Sequence, residues 1–178
     1  MMPPITPRRR PGRPVHSRAV STPAWPDDWD ERKAGAGCHL CASLGADDNE
    51  FTVAVAALDW IEVRLERRSR LSGYCIAVWR HRHVAEPYEL GPEEAAGYWR
   101  EVTALGKALE DQFRPVKLNL LTLGNAVPHL HTHVLPRYFG DPAPGGPVPW
   151  DHLFLPEPND PDVLRDQAAA IRARLTRG

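Results

Sequence analysis

Three histidines, His129, His131 and His133, stand at alternate positions in the segment VPHLHTHVLPR, which spans residues 127–137. The alternation of polar and apolar residues is typical of a β-strand, in which successive side chains point to opposite faces. A strand over residues 129–135 would therefore place all three imidazoles on one face. Imidazoles in a row are costly to bury without partners. Their spacing indicates a metal site, or a site where one imidazole attacks an electrophile while its neighbours position it.

Residue types suited to metal binding also occur nearer the N-terminus, where Cys38 and Cys41 form a C-x-x-C pair. A structural zinc ion takes four protein ligands, often two cysteines and two histidines. His83, which follows the end of a predicted strand, is the third candidate ligand, and His129 is the fourth. Four such ligands leave no position open for water, so the predicted zinc ion is structural. The other two histidines of the row then remain free for chemistry.

The sequence leaves other interpretations of these residues open. The cysteine pair could consist of small buried residues or could carry out redox chemistry. His39 or His81 could replace a predicted ligand if the strand register differs by one step. The histidine row could instead form a catalytic zinc site that uses a metal-bound hydroxide. Trp150 is expected to cover a ligand or a second subunit, or to pack on the surface of the domain.

The elements that would carry these residues follow from the hydrophobic pattern. Runs rich in β-branched residues predict strands over residues 51–58, 60–66, 74–80, 116–123 and 129–135. The alternation in the second of these runs indicates a half-buried strand. A helical period over residues 91–113 predicts a central helix with Trp99 in the core, and residues 160–175 predict a C-terminal helix. The predicted fold class is α+β, built on a mostly antiparallel sheet.

Composition and charge limit the function classes. A formal net charge of −1 over 178 residues argues against a nucleic-acid coat or a polybasic membrane module. The sequence contains neither an apolar run that could span a membrane nor a secretory signal, which predicts a cytoplasmic protein. The charge balance fails only at the Pro- and Arg-rich start, where the first 18 positions hold five arginines and no acidic residue. Residues 1–28 are therefore predicted to form a disordered arm, which is either a solvated tail or a segment that contacts nucleic acid or a membrane surface.

Taken together, the motifs resemble those of the histidine triad (HIT) nucleotide hydrolases and transferases. The family's signature of three alternating histidines is similar to HLHTHVL, and its Gly-Gln-Ser-x-x-His approach and Pro-Arg-Tyr exit resemble GNAVPHLHTHVLPRY. Its strand ending in Pro-Lys-x-His resembles LSGYCIAVWRHRHVAEPYEL, its central helix resembles GPEEAAGYWREV, and the cysteine pair of its zinc-bearing bacterial branch resembles CHLC. The resemblance spans residues 38–140. It implies a HIT-like domain over residues 29–178, of which 141–178 form a C-terminal extension.

The resemblance also implies an activity and an assembly. Family members hydrolyse or transfer a nucleotidyl group at the α-phosphorus of nucleoside 5′-phosphate esters, anhydrides or phosphoramidates, typically dinucleoside polyphosphates. His131 matches the nucleophile that forms a covalent nucleotidyl-histidine, and His133 matches a donor to a phosphate oxygen. His129 and His83 match zinc ligands of the zinc-bearing branch. The resemblance implies that the cofactor is structural zinc and that no organic cofactor is present. It also implies a homodimer in which the two sheets are joined.

The chain departs from the family pattern around the phosphate site. Asn125 and Ala126 replace the usual Gln-Ser, so the serine hydroxyl that reaches the scissile bridge is missing. The family's Asn-x-Gly is also absent, and Asn119 or Asn125 is expected to replace it as a phosphate contact. Glu66 is the candidate for the ribose hydroxyls, with a solvated turn charge as the alternative. Arg137 is either a contact to distal phosphates or a surface charge. The alternative function is a zinc-stabilised module that binds or senses nucleotides with little turnover.

Overall fold

The computed structural model describes residues 24–141, 143, 145–146 and 150–176 of the chain. In this part of the chain, five strands form one sheet in which every neighbouring pair is antiparallel. The strands are β1 (Thr52–Ala57), β2 (Ile61–Glu66), β3 (Cys75–Trp79), β4 (Lys117–Leu121) and β5 (His131–Arg137). Their order across the sheet is β1-β2-β3-β5-β4, so β4 lies at one edge. The α+β fold class predicted from the sequence is confirmed.

Helices connect and cover this sheet. They are α1 (Trp29–Lys33), α2 (His39–Ser43), α3 (Pro92–Phe113), α4 (Trp150–Leu153) and α5 (Pro161–Leu175), with a 3₁₀ turn at Pro87–Glu89. The central helix α3 begins where the sequence predicts, because Pro92 suits a first turn and the Glu94 carboxylate accepts a hydrogen bond from the Gly91 N–H at 2.8 Å. It ends at Phe113, and the next residue, Arg114, adopts a left-handed conformation (φ 49°) before Pro115.

The main core lies between the sheet and the two long helices, α3 and α5. From α3 it takes Tyr98, Val102, Leu105 and Leu109, all fully buried. The prediction that Trp99 belongs to this core is wrong, since its side chain is 38% exposed. Successive residues of a helix are turned by about 100°. Because the buried stripe runs through Tyr98, its neighbour Trp99 lies at the margin of the stripe.

β2 is buried on both faces, which corrects the half-buried strand predicted from its alternating pattern. The segment between α2 and β1 covers the polar face. Arg64 is 1% exposed, donates a hydrogen bond to the Ala46 carbonyl at 3.2 Å and pairs with Glu62. The Gly45 N–H donates to the other carboxylate oxygen of Glu62 at 2.7 Å. These buried polar contacts hold the N-terminal segment, and with it the cysteine pair, against the sheet.

The predicted arm falls mostly on residues 1–23, which lie outside the described residues. Its limit at residue 28, and the domain limits 29–178, therefore stay predictions. None of the described helices combines the length and the apolar character needed to cross a lipid bilayer.

Candidate active site and metal centre

The histidine row divides into two parts in the structure. β5 begins at His131, two residues later than predicted. His131 and His133 occupy alternate strand positions and face the same side, with ring centroids 4.9 Å apart. His129 precedes the strand, is fully buried and lies beside the cysteine pair. At the junction, the Leu130 N–H donates to the Val84 carbonyl at 2.8 Å, outside the strand ladder.

The four residues predicted to hold zinc come together at one point. One ligand atom from each of Cys38, Cys41, His83 and His129 lies within 4.8 Å of the others. The Cys41 Sγ is 3.4 Å from Nδ1 of His83 and 3.3 Å from Nδ1 of His129, and the Cys38 Sγ is 3.4 Å from the latter nitrogen. A tetrahedral zinc ion with ordinary bond lengths separates its sulfur and nitrogen ligands by about 3.5 Å. The donor set and its spacing therefore fit a tetrahedral metal ion.

Backbone carbonyls orient the rings of His83 and His129 so that Nδ1 of each ring lies toward the cysteines. The Nε2–H of His83 donates to the Lys33 carbonyl at 3.1 Å, and that of His129 donates to the Trp79 carbonyl at 2.8 Å. Because a carbonyl only accepts, each Nδ1 keeps its lone pair for a metal. Burial lowers the pKa of His129 to about 4, which favours the neutral form that binds metal. Gly35 (φ 99°) lets the N-terminal segment pass close by, since an added β-carbon there would lie 3.1 Å from Cγ of His83.

The alternative ligands proposed from the sequence lie elsewhere. His39 lines a cavity together with His131 and His133, and His81 forms a hydrogen bond through Nε2 to the Asp59 carbonyl at 2.8 Å. Within the described residues, the cluster of potential metal ligands does not include His131 or His133. The geometry therefore does not support a three-histidine zinc site.

His131 is held in an orientation suited to nucleophilic attack. Burial lowers its pKa, because an imidazolium ion is poorly solvated in this position. Its Nδ1–H donates to the His129 carbonyl at 2.5 Å, so Nε2 of the neutral ring carries the lone pair. The side chain is 8% exposed and borders a cavity in front of the sheet. A neutral imidazole with a free lone pair at a cavity wall can attack an electrophile bound there.

This cavity has a volume of about 420 Å³, a size suited to a small ligand. Its walls come from α2, β2, β3, the loop before β5 and the segment that contains α4. Besides His131 and His133, the residues that line it are His39, Leu40, Glu66, Tyr74, Ile76, residues 123–127, Trp150 and Phe154. Most of these side chains are apolar, and a few polar groups converge near the two histidines. Such a lining is typical of a ligand site.

Trp150 and Phe154 form an aromatic wall of the cavity. The Trp150 ring lies edge-on to His133 with ring centroids 5.3 Å apart, and it stacks on Phe154 at 6.2 Å. Trp150 therefore borders the position that a ligand of His131 would occupy, which is one of the positions predicted for it. Sequence patterns do not identify Phe154, because it belongs to an irregular segment without a periodic signal.

Glu66 and Asn125, two of the predicted substrate-binding residues, line the same cavity. Glu66 is 9% exposed, its Oε1 accepts a hydrogen bond from the Arg68 N–H at 3.1 Å, and burial raises its pKa. Tyr74 is a cavity residue that sequence reasoning missed. Its hydroxyl lies 2.7 Å from Nδ1 of His133, a residue 59 positions further along the chain. Motifs based on residue spacing do not connect residues so far apart. A tyrosine at the start of a strand would otherwise be expected to belong to the core.

The structure places Arg137 and Asn119 away from the cavity of the histidines, which corrects their prediction as phosphate contacts. Arg137 is 4% exposed and makes two contacts with the Asp141 carboxylate, at 2.6 and 3.1 Å. It also donates to the Asn119 Oδ1 at 2.6 Å. The guanidinium holds the pKa of Asp141 below its usual range. Both side chains are thus engaged in holding the chain after β5 against β4.

Comparison with known proteins identifies the family. The model of the HIT domain family matches residues 50–140, and this chain belongs to that family. A curated relative is Protein hit of Bacillus subtilis (strain 168), which is 36% identical over 98 residues. The matched region covers 52% of this chain and 65% of the relative, so the chain spans less than two thirds of that protein's length. The resemblance to HIT proteins drawn from the sequence motifs is confirmed.

Solved structures of HIT proteins share the fold. A histidine triad protein from Marinobacter aquaeolei VT8 is 29% identical, with a TM-score of 0.63 over 76% of this chain and 94% of that chain. A zinc-bound histidine triad family protein from Mycobacterium smegmatis is 22% identical, with a TM-score of 0.57 over 80% of this chain and 95% of that chain. The second likeness is one of fold alone. Membership of the HIT family supports a nucleotide-binding or hydrolytic function in general.

Proposed function

We propose that this HIT protein is a nucleotidyl hydrolase or transferase that acts on the α-phosphorus of nucleoside 5′-phosphate esters, anhydrides or phosphoramidates. The observation that carries the proposal is the orientation of His131. Its Nδ1–H is held by the His129 carbonyl at 2.5 Å, which leaves Nε2 free to bond to phosphorus. His133 lies beside it, with ring centroids 4.9 Å apart, and can donate a hydrogen bond to a phosphate oxygen.

The proposed reaction has two steps. Nε2 of His131 attacks the α-phosphorus, the bond from phosphorus to the leaving group breaks, and the leaving group takes the electron pair. The ring, now bonded to phosphorus, retains its Nδ1 proton, and the His129 carbonyl stabilises its positive charge. Water then attacks the phosphorus, the P–N bond breaks with its electron pair returning to Nε2, and the proton of the water is released to solvent. With another acceptor in place of water, the second step is a transfer.

We assign the metal of the four-ligand centre as structural Zn²⁺. Two thiolates and two imidazoles at tetrahedral spacing are a ligand set that zinc prefers, and the zinc-bound M. smegmatis protein of the same fold supports the assignment. Bound there, zinc would cross-link the N-terminal segment to the end of β3 and to His129. The proposed chemistry needs no organic cofactor. Free cysteines that serve as ligands suit a reducing compartment, which supports the predicted cytoplasmic location.

We also propose that the protein is a homodimer in which two sheets join. β4 lies at the edge of the sheet, where backbone groups remain available for pairing with another strand. Apolar side chains are exposed in and beside this strand: Val116, Leu120 and Leu123 are 55%, 44% and 45% exposed. Pairing along β4 would cover them.

The test of the proposed activity is nucleotide release from diadenosine tetraphosphate and from adenosine phosphoramidate, by the wild type and by His131→Asn. We expect release by the wild type, a loss of about 10³-fold or more in the variant, and an unchanged zinc content, because His131 is not among the metal ligands. His81→Asn is the matched control, since His81 is exposed and bonds to the Asp59 carbonyl outside the cavity. Equal release by the wild type and His131→Asn would contradict the proposal.

A second candidate function is favoured by Ala126, which lines the cavity where the family carries a serine hydroxyl. A protein that binds adenosine nucleotides tightly but releases no product from either compound would be a nucleotide-binding module. Binding measured by calorimetry on the same preparations distinguishes the two functions.

A further inference from the structure

The hydroxyl of Tyr74 lies 2.7 Å from Nδ1 of His133, inside the cavity of the proposed active site. Tyr74 immediately precedes β3, and its side chain is 1% exposed. Its ring is also close to that of His133, with centroids 5.9 Å apart. One ring nitrogen of His133 is therefore occupied by a buried phenol, and the other, Nε2, has no hydrogen-bond partner among the described residues.

The direction of this hydrogen bond follows from the surroundings of the phenol. Burial raises the pKa of Tyr74, and the nearby Glu66 carboxylate raises it further, so the phenol keeps its proton. Over the part of the chain that the structure describes, the hydroxyl contacts one hydrogen-bonding group, Nδ1 of His133. A buried O–H without an acceptor would cost about 1–3 kcal/mol. The phenol therefore donates, Nδ1 of His133 accepts, and the single proton of the neutral imidazole resides on Nε2.

We propose that Tyr74 is a positioning residue that fixes the tautomer of His133, so that its Nε2–H is available to donate to an oxygen of the phosphate bound at His131. This inference rests on the proposed function and deepens it. Without Tyr74, the proton of His133 would be distributed over both ring nitrogens, and the ring would be free to turn. With Tyr74, the donor is fixed before the substrate binds, which is the condition under which a hydrogen bond stabilises a transition state most.

The role assigned to Tyr74 requires no proton transfer. The O–H of Tyr74 and the Nε2–H of His133 keep their protons through the attack of His131, and only the strength of the hydrogen bond to the phosphate oxygen changes. The role has particular weight in this chain because Ala126 lacks the hydroxyl that would otherwise contact the substrate nearby. His133 is then the donor directly beside the proposed nucleophile.

The test uses the ¹⁵N chemical shifts of His133 in the labelled full-length protein, together with steady-state kinetics of Tyr74→Phe. We expect the wild type to show a protonated Nε2 and an unprotonated, hydrogen-bonded Nδ1. In Tyr74→Phe we expect a mixture of tautomers, and kcat lower by about 10- to 100-fold with KM changed much less. The matched control is Tyr98→Phe. It also removes a fully buried phenol hydroxyl, one that lies 2.7 Å from the Thr132 Oγ1 and contacts neither histidine of the cavity.

Two results would overturn the proposal. One is a wild-type His133 that carries its proton on Nδ1, a measurement that needs no variant. The other is a Tyr74→Phe protein whose tautomer and kcat match those of Tyr98→Phe. Failure of the proposed function would look different: no nucleotide would be released by the wild type, while the tautomer of His133 could still be read.

Discussion

The backbone carbonyl of His129, a predicted zinc ligand, accepts the Nδ1–H of His131, the proposed nucleophile, at 2.5 Å. The same residue thus places its imidazole in the metal centre and its carbonyl under the nucleophile. Because the metal would hold the His129 ring, it would also fix the backbone carbonyl of His129. That carbonyl accepts the hydrogen bond from the His131 ring. Zinc would then influence turnover through the position of His131 rather than through contact with the substrate.

Replacing Cys41 with serine should remove zinc and reduce turnover together. A serine hydroxyl does not ionise at neutral pH, so the site loses one of its four ligands. We expect zinc affinity to fall by about 100-fold or more, the melting temperature to fall, and activity to decrease because His131 is no longer held. Elemental analysis, thermal unfolding and nucleotide release measure the three effects.

Ala42→Ser is the control for this change, since Ala42 is the adjacent residue on α2 and is exposed. It should leave zinc content, melting temperature and turnover unaffected. A Cys41→Ser protein that retains a full complement of tightly bound zinc would contradict the assigned ligand set.

Stability should decrease as the pH falls from neutral toward 4, and His133 should contribute to the loss. Burial lowers the pKa of His133 to about 4 in the folded protein, whereas a histidine in the unfolded chain titrates at about 6.5. Between these values the unfolded chain binds a proton that the folded protein does not. The stability associated with neutral His133 is therefore fully present above the pKa of the unfolded chain. It is lost progressively as the pH falls from that pKa toward the lower pKa of the folded protein.

Urea unfolding at pH 7 and pH 5 measures this effect when the wild type is compared with His133→Gln at equal zinc content. The free energy of unfolding should decrease more in the wild type, because the glutamine does not titrate. An identical decrease in both proteins would show that His133 is not the group responsible.

Glu66 should contact the ribose hydroxyls of a bound nucleotide. Its buried carboxylate lines the cavity and has one oxygen bonded to the Arg68 N–H. We expect Glu66→Ala to raise KM for adenosine phosphoramidate by about 10- to 100-fold, the range of a hydrogen bond to a charged group. For the wild type, removing the 2′-hydroxyl from the substrate should raise KM by a similar factor. For Glu66→Ala, removing this hydroxyl should change KM little. If Glu66→Ala discriminates between the two compounds as the wild type does, Glu66 does not contact that hydroxyl.

Trp150 should report nucleotide binding through its fluorescence. Its ring borders the cavity beside His133 and is 37% exposed, so a bound nucleotide would change its surroundings. The change in emission on adding adenosine monophosphate should be lost in Trp150→Phe and retained in Trp99→Phe, whose tryptophan is comparably exposed on α3. A signal that survives in Trp150→Phe would place the ligand elsewhere.

The sequence predicts well those features that depend on neighbouring residues. Alternation of residue types identifies β5 and its histidines, and proline and glutamate identify the start of α3. The zinc ligands could be proposed from the sequence because zinc prefers a fixed number and type of ligands. This preference holds even though Cys38 and His129 are 91 positions apart.

Features that depend on tertiary contacts could not be predicted in this way. The alternating pattern of β2 suggests a solvent-exposed face, but the segment before β1 covers it and satisfies Arg64. Arg137 suggests a phosphate contact, but Asp141 lies four positions away and forms a buried ion pair with it. The partnership of Tyr74 with His133 depends on β3 lying beside β5, which a reading of single segments does not provide.

The separation of the zinc ligands along the chain has a consequence for biosynthesis. Both thiolates leave the ribosome long before either imidazole, since Cys38 and Cys41 precede His83 by more than 40 positions and His129 by about 90. Contacts between such distant residues form late in folding, after the costly closure of the intervening loops. A nascent chain would thus expose a pair of thiols without their histidines, and acquisition of a tightly held metal would mark a molecule whose sheet is already assembled.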